Sequence, residues 1–190
     1  MIWGIIGNKR VRAFPSGRAF CPICKEELIA KCGEIKIWHW AHKSSKECDP
    51  WHKEETEWHI KWKENFPKEF QEVKIGKHRA DIRTKKGLVI EFQSSSISPS
   101  EIKEREAFYK NMVWVLNGKT IAKNFFPFKL RYKWRWFPKS FKTATRDIYI
   151  DKGDIFLYKL ITVGNEGVFR KVSKIAFIIQ HGGSLWKKKK

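Results

Sequence analysis

His78-Arg-Ala-Asp81-Ile-Arg83 and Leu88-Val-Ile-Glu91-Phe-Gln93, joined by Thr84-Lys-Lys-Gly87, decide the fold. Both stretches are rich in strand formers, and the link reads as a turn. A period of two groups Ala80 with Ile82, and Leu88 with Ile90 and Phe92. If these two apolar sets share one side, Arg83 pairs with Val89. Asp81 then lies opposite Glu91, with Cβ atoms about 5 Å apart. A register slipped by one would separate the acids, but it would also send one apolar set into water. Gln93 falls on the same face as Glu91. Facing carboxylates repel unless a cation sits between them or one keeps a proton. Oxygen donors favour a hard ion, Mg2+ or Mn2+, held by Asp81, Glu91 and a backbone carbonyl, that of Phe92. The alternative is an ordinary surface hairpin whose acids are neutralised by Arg79 and Arg83.

Residues 69–76 read as a strand ahead of this hairpin, and a helix precedes it. Asp49 suits an N-cap, Pro50 the first helical position, and Pro67 limits the far end. Trp51, Trp58, Trp62 and Phe66 then form one apolar stripe with Glu55 in its middle, His59 at its border and Lys63 just beyond. A carboxylate on an apolar face needs a cationic partner, either an arginine of the core or a metal with its water shell. Downstream, Ser98-Pro-Ser-Glu101 opens a second helix, to about Asn111, with Arg105 and Tyr109 on the Ile102 stripe. Met112–Leu116 reads as a further strand, closed by Asn117-Gly118. The order is helix, three strands, helix, strand.

The amino-terminal segment carries all four cysteines, Cys21, Cys24, Cys32 and Cys48. Cys21-Pro-Ile-Cys24, followed by His39-Trp-Ala-His42, has the spacing of a structural zinc site built from Cys21, Cys24, His39 and His42. Cys32 or Cys48 could replace one histidine, and otherwise they are small core residues.

The 190 residues hold 40 basic and 20 acidic side chains, a net charge of +20, with 42% hydrophobic and 15% aromatic content. This is too apolar for a disordered basic tail protein. No apolar run approaches the roughly 20 residues that span a bilayer, so no membrane association is expected. The start lacks the form of a signal peptide, and a soluble cytoplasmic chain is expected. Residues 119–190 alone carry 18 basic against 4 acidic residues, which points to a polyanionic partner. In that part, residues 129–136 alternate Lys129, Arg131, Lys133 and Arg135 with Leu130, Tyr132, Trp134 and Trp136. Phosphate contacts are assigned to the basic face, with Arg79 from the hairpin, and core packing to the aromatic face over base stacking. Residues 155–161 and 174–179 read as strands, and Lys187–Lys190 as a solvated tail.

Together these pieces resemble the competence protein CoiA family: Cys-Pro-Ile-Cys, His-Trp-Ala-His, Glu55-Thr-Glu-Trp-His59 with Lys63, Arg79-Ala-Asp-Ile82, Ile90-Glu-Phe-Gln-Ser94, Ile97-Ser98, and Arg105 with Tyr109. The motifs fall in the family's order over residues 21–116, with weaker similarity in 128–151. The resemblance implies an α/β (α+β) fold, a PD-(D/E)xK restriction-endonuclease-like core (αβββαβ) over 49–118. A zinc-ribbon-like segment over 1–48 would precede it, and a basic, β-rich extension over 119–190 would follow. It implies Mg2+-dependent hydrolysis of DNA phosphodiesters, in DNA uptake, recombination or phage defence. By position, Asp81 matches the motif's Asp, Glu91 its Glu, and Glu55 the first-helix acid. Gln93 stands where many nucleases of the wider superfamily carry Lys. An amide neither accepts a proton nor carries charge, so the metal must do most of the water activation while Gln93 orients the water. Lys63, His59 or Arg105 could supply the missing positive charge. DNA of either strandedness is the expected partner, with RNA as a further reading and a homodimer useful for duplex cutting. The competing class is a non-catalytic, zinc-containing nucleic-acid-binding protein.

Overall fold

The computed structural model describes residues 1–34, 37–44, 48–51 and 55–185. The Lys187–Lys190 stretch lies outside the described residues. Five short strands open the chain: β1 (Trp3–Ile6), β2 (Lys9–Arg12), β3 (Arg18–Phe20), β4 (Glu27–Lys31) and β5 (His39–His42). They form an antiparallel sheet in the order β2-β1-β3-β4-β5. Its core is small, gathered round Leu28, Ala19, Cys21 and Trp40. A unit of this size needs help from a metal or a neighbour to hold its shape.

Then follow α1 (Glu57–Lys63), β6 (Gln71–Ile75), β7 (His78–Arg83), β8 (Val89–Gln93), α2 (Pro99–Tyr109) and β9 (Met112–Asn117). This is the expected αβββαβ order. The chain continues through β10 (Phe125–Phe128), β11 (Arg131–Trp134), β12 (Ile148–Asp151), β13 (Phe156–Leu160), β14 (Glu166–Ser173) and α3 (Lys174–Gln180). One nine-stranded sheet results, in the order β10-β11-β14-β13-β12-β9-β8-β7-β6. At its centre β8, β9 and β12 run parallel and are buried along their whole length, which explains their continuous apolar runs. On one face lie Ile102, Trp114 and Leu116, together with Tyr109 of α2. On the other lie Trp62 and Phe66 with Phe177 and Ile178 of α3. The carboxylate of Asp151 accepts both indole N–H groups of Trp58 and Trp62 at 2.8 Å, tying α1 to β12.

Three sequence expectations are corrected. The first helix starts at Glu57, not at Asp49-Pro50, and Thr56 is its N-cap in a reciprocal capping box with His59. Asp49 instead spends its carboxylate on β7, meeting the His78 ring at 2.9 Å and accepting the Arg79 N–H at 2.8 Å. Trp51 therefore leaves the helical stripe and packs with the opposite core. Residues 174–179 form a helix rather than a strand. Ser173 caps it, and Phe177 with Ile178 face the sheet while Ile175 and Ile179 stay exposed. The β-branched composition favours a strand, but packing against the sheet overrides it. The 129–136 alternation holds only over β11, where Tyr132 and Trp134 are buried. Leu130 and Trp136, outside the strand, are exposed.

Glu72 bolts the two sheets together. It is buried in β6 with a positive φ of 47°, and its carboxylate accepts the N–H groups of Ile2 at 3.0 Å and Trp3 at 3.2 Å. Lys63 Nζ lies 3.4 Å away. Burial opposes its charge, but Arg79, Lys63, the chain's amino terminus and the Ile2 N–H outweigh that and hold its pKa well below the usual 4.5. Glu72→Gln is expected to cost about 3–5 kcal/mol in urea unfolding at pH 7, because Lys63 and Arg79 lose a buried counter-charge. A depressed carboxylate pKa stabilises above the unfolded pKa and loses that effect as pH falls. The gap between wild type and variant should therefore close progressively below pH 4.5. A gap that stays constant down to pH 3 would show that Glu72 acts by shape alone.

Candidate active site and metal centre

The hairpin register is the expected one, with Arg83 opposite Val89 and Ile82 opposite Ile90. Beyond Ile82 side chains take over the pairing. The Asp81 N–H donates to Glu91 Oε1 at 3.1 Å, and the Phe92 N–H donates to Asp81 Oδ2 at 2.9 Å. Each acid thus crosses to the other strand's backbone, at the mouth of a cleft of about 310 Å³. Glu55, His59, Gln93, Arg79 and Arg105 line the same cleft, so it unites the hairpin's acids with Glu55, which lies just ahead of α1 rather than within it, and with their neighbouring cations.

The electrostatics are dense. Lys63 is fully buried, 2.6 Å from Glu55 Oε1 and 2.8 Å from Asp81 Oδ1. Burial works against its charge, yet Asp81, Glu55 and Glu72 prevail and raise its pKa. Asp81 is lowered in turn, burial being outweighed by Lys63 and the Phe92 N–H. Glu91 goes the other way. Burial and the Asp81 charge push it up to about 7 against the pull of Arg105, which meets its Oε2 at 2.6 Å. Arg105 is also held by Glu101 at 2.5 Å and by the Trp51 carbonyl at 2.6 Å. Arg79 keeps its charge because, against the cost of burial, Glu72, Glu55, Asp81 and Asp49 all favour it. In a chain of net charge +20, the cleft is locally acidic: Glu55, Glu72, Asp81 and Glu91 face Lys63, Arg79 and Arg105.

His59 is tied at both ring nitrogens. Nδ1 accepts from the Thr56 N–H at 3.3 Å, so Nε2 carries the hydrogen and donates to the Phe92 carbonyl at 3.0 Å. Gln93 is buried, and its amide donates to the Ser95 carbonyl at 2.8 Å. Among the described residues three buried side-chain atoms have no hydrogen-bond partner: Glu55 Oε2 and Arg105 Nε at the cleft, and Trp134 Nε1 in the core. Glu72 and the Trp51 carbonyl were not singled out by sequence reasoning. An acid within a strand carries no sign of its partner, whereas the Glu101–Arg105 pair was readable from its i,i+4 spacing.

A second cluster lies in the amino-terminal sheet. Cys21, Cys24, His42 and Cys48 offer donor atoms all within 4.8 Å of one another, the one such group of three or more among the described residues. Cys24 Sγ lies 3.3 Å from His42 Nε2, and Cys21 Sγ 3.7 Å from Cys48 Sγ. This corrects the set expected from spacing. Cys48 takes the place of His39, whose Nδ1 instead faces the Ile37 carbonyl at 2.8 Å. Cys32 packs beside the small core. Three thiols and an imidazole suit a tetrahedral metal such as zinc. Burial and the neighbouring Cys21 push the Cys48 thiol up to about 12, a cost that a bound cation would reverse.

An αβββαβ core with its acids on the central hairpin is that of the PD-(D/E)xK-like class. Residues 8–50 match the competence protein CoiA N-terminal domain, and residues 55–179 match the competence protein CoiA nuclease-like domain. The chain belongs to the competence protein CoiA family. Neither a curated protein nor a solved structure matches it. Membership gives a nuclease-like role in competence. No helix among the described residues is long and apolar enough to cross a membrane.

Proposed function

We propose that the chain is a Mg2+- or Mn2+-dependent DNA nuclease that hydrolyses phosphodiester bonds at Asp81, Glu91 and Gln93, with Glu55. The observation carrying this reading is the cross-bonded Asp81–Glu91 pair on the cleft, in a locally acidic patch of a strongly basic chain. The residues fit a hard cation. Glu55, Asp81 and Glu91 offer oxygen donors along one cleft, and Glu55 Oε2 is buried with no partner of its own. Asp81, Glu91 and the Phe92 carbonyl would hold the ion, with Glu55 on its water shell. Such an ion supplies an acidified water and a brace for the phosphate oxygen. Lys63 keeps Asp81 ionised and so ready as a ligand. Arg105, which lines the cleft, would meet phosphate charge there. Gln93 orients by hydrogen bonds and moves no proton.

One observation favours the non-catalytic alternative: Lys63 and Arg105 already neutralise Asp81 and Glu91 without any ion. Digestion of single-stranded, duplex, branched and RNA substrates with and without Mg2+ separates the two. Cutting of DNA that appears with Mg2+ and stops on chelation is expected. Absence of Mg2+-dependent cutting on every substrate would leave the binding protein. A homodimer, which would set a second site against the other strand, is expected only if duplex is cut on both strands.

A further inference from the structure

We propose that the outer face of the β10–β11 hairpin is a stacking platform for single-stranded DNA. The hairpin register sets Phe126 opposite Lys133 and Phe128 opposite Arg131. Opposite residues of an antiparallel pair share a face, so two phenyl rings alternate there with two cations. The rings are 56% and 72% exposed, although the same hairpin buries Phe125, Tyr132 and Trp134 completely on its other side. The sheet thus has enough aromatic side chains for its core, and these two are surplus to it. They line a groove of about 490 Å³ with Arg131 and Lys133. Glu166 and Gly167 of β14 complete its lining. Beside the groove, Lys129 Nζ lies 5.6 Å from the Phe128 ring centre and the Arg135 guanidinium 5.0 Å from that of Trp136, itself 63% exposed.

Charge decides among occupants. Lys129, Arg131, Lys133 and Arg135 surround the face against one acid among the groove's lining residues, Glu166, so a second copy would be repelled. Pro127, in the middle of β10 at the edge of the sheet, blunts strand addition. A duplex offers phosphates but hides the faces of its bases, so it gives the two rings nothing. Unpaired bases stack on exposed rings while their phosphates meet the interleaved cations. The choice of DNA over RNA rests on the nuclease reading above; the stacking geometry does not.

The test is binding of labelled oligothymidylate to the full chain without added divalent metal, so that no cutting is needed for the readout. Phe126→Ala with Phe128→Ala should weaken it about 30-fold or more. Duplex binding should move less than about threefold, and Tyr at both positions should restore the single-strand affinity. Arg131→Gln with Lys133→Gln should flatten the single-strand salt slope by about 1.4. Equal losses on duplex and single strand, or no loss, would overturn the platform. So would tighter binding of oligouridylate, or of phosphatidylglycerol vesicles, than of oligothymidylate. Stacking without any cutting would leave the platform standing and remove the nuclease. Cutting that is indifferent to both rings would do the reverse.

Discussion

Asp81→Asn is expected to abolish the proposed Mg2+-dependent cutting, by on the order of 10³-fold or more, in a chain that still folds. The two consequences separate because the Asp81 oxygens have different work. Oδ2 accepts the Phe92 N–H at 2.9 Å, and an asparagine oxygen can keep that bond. Oδ1 faces Lys63 at 2.8 Å, and there an amide NH2 replaces it, so the acceptor is lost together with the charge. Lys63 retains Glu55 at 2.6 Å and Glu72 at 3.4 Å, so the cost in stability should stay near 1–2 kcal/mol. Lys63→Met is the informative contrast. It strips the counter-charge from all three acids at once and should cost about 3–5 kcal/mol, unfolding the chain earlier in urea than Asp81→Asn does. Plasmid nicking and urea unfolding on the same preparations check both. If Asp81→Asn cuts like wild type, the reacting site is elsewhere. If it unfolds as early as Lys63→Met, the acid serves the core.

The geometry behind that forecast was partly legible in the residues, for reasons that differ along the chain. The Asp81–Glu91 juxtaposition could be read because a period of two and a short turn leave one register that buries both apolar sets, and Arg83 opposite Val89 is the register found. The second helix was legible because Ser98 caps it locally, accepting the Glu101 N–H at 3.1 Å. The first was misplaced because Asp49-Pro50 has the local form of a helix start while its carboxylate is claimed by β7, some 30 residues on. Only contacts far apart in sequence decide between those uses. The same holds for Lys63, recognisable as a cation near the site but not as the buried hub of Glu55, Glu72 and Asp81. The exposed rings of β10 were not foreseen at all. FFPF is a strand composition, and which of its rings face water depends on its partner strand.

Cysteine spacing shows the limit most sharply. Cys48→Ser should lose one tightly held zinc per chain by elemental analysis, whereas His39→Ala should keep it. Cys48 lies in the group of converging donors and His39 does not. The expected consequence is large, since structural zinc is worth about 10–16 kcal/mol in finger-sized units, and whole domains are stable by only about 5–15. The amino-terminal sheet, with its handful of core side chains, should therefore open when the metal goes. The effect should reach the cleft through four consecutive residues. Cys48 precedes Asp49, which fixes β7 through His78 and Arg79. Trp51 then stacks on the His78 ring, with ring centres 3.3 Å apart, and its carbonyl holds Arg105 against Glu91. Cutting should thus fall with zinc content in Cys48→Ser and in His42→Ala alike, while His39→Ala stays active. Retention of zinc by Cys48→Ser, or its loss from His39→Ala, would return the ligand set to the two histidines. Full activity in a zinc-free chain would show instead that the cleft holds Arg105 in place without the metal-bound segment.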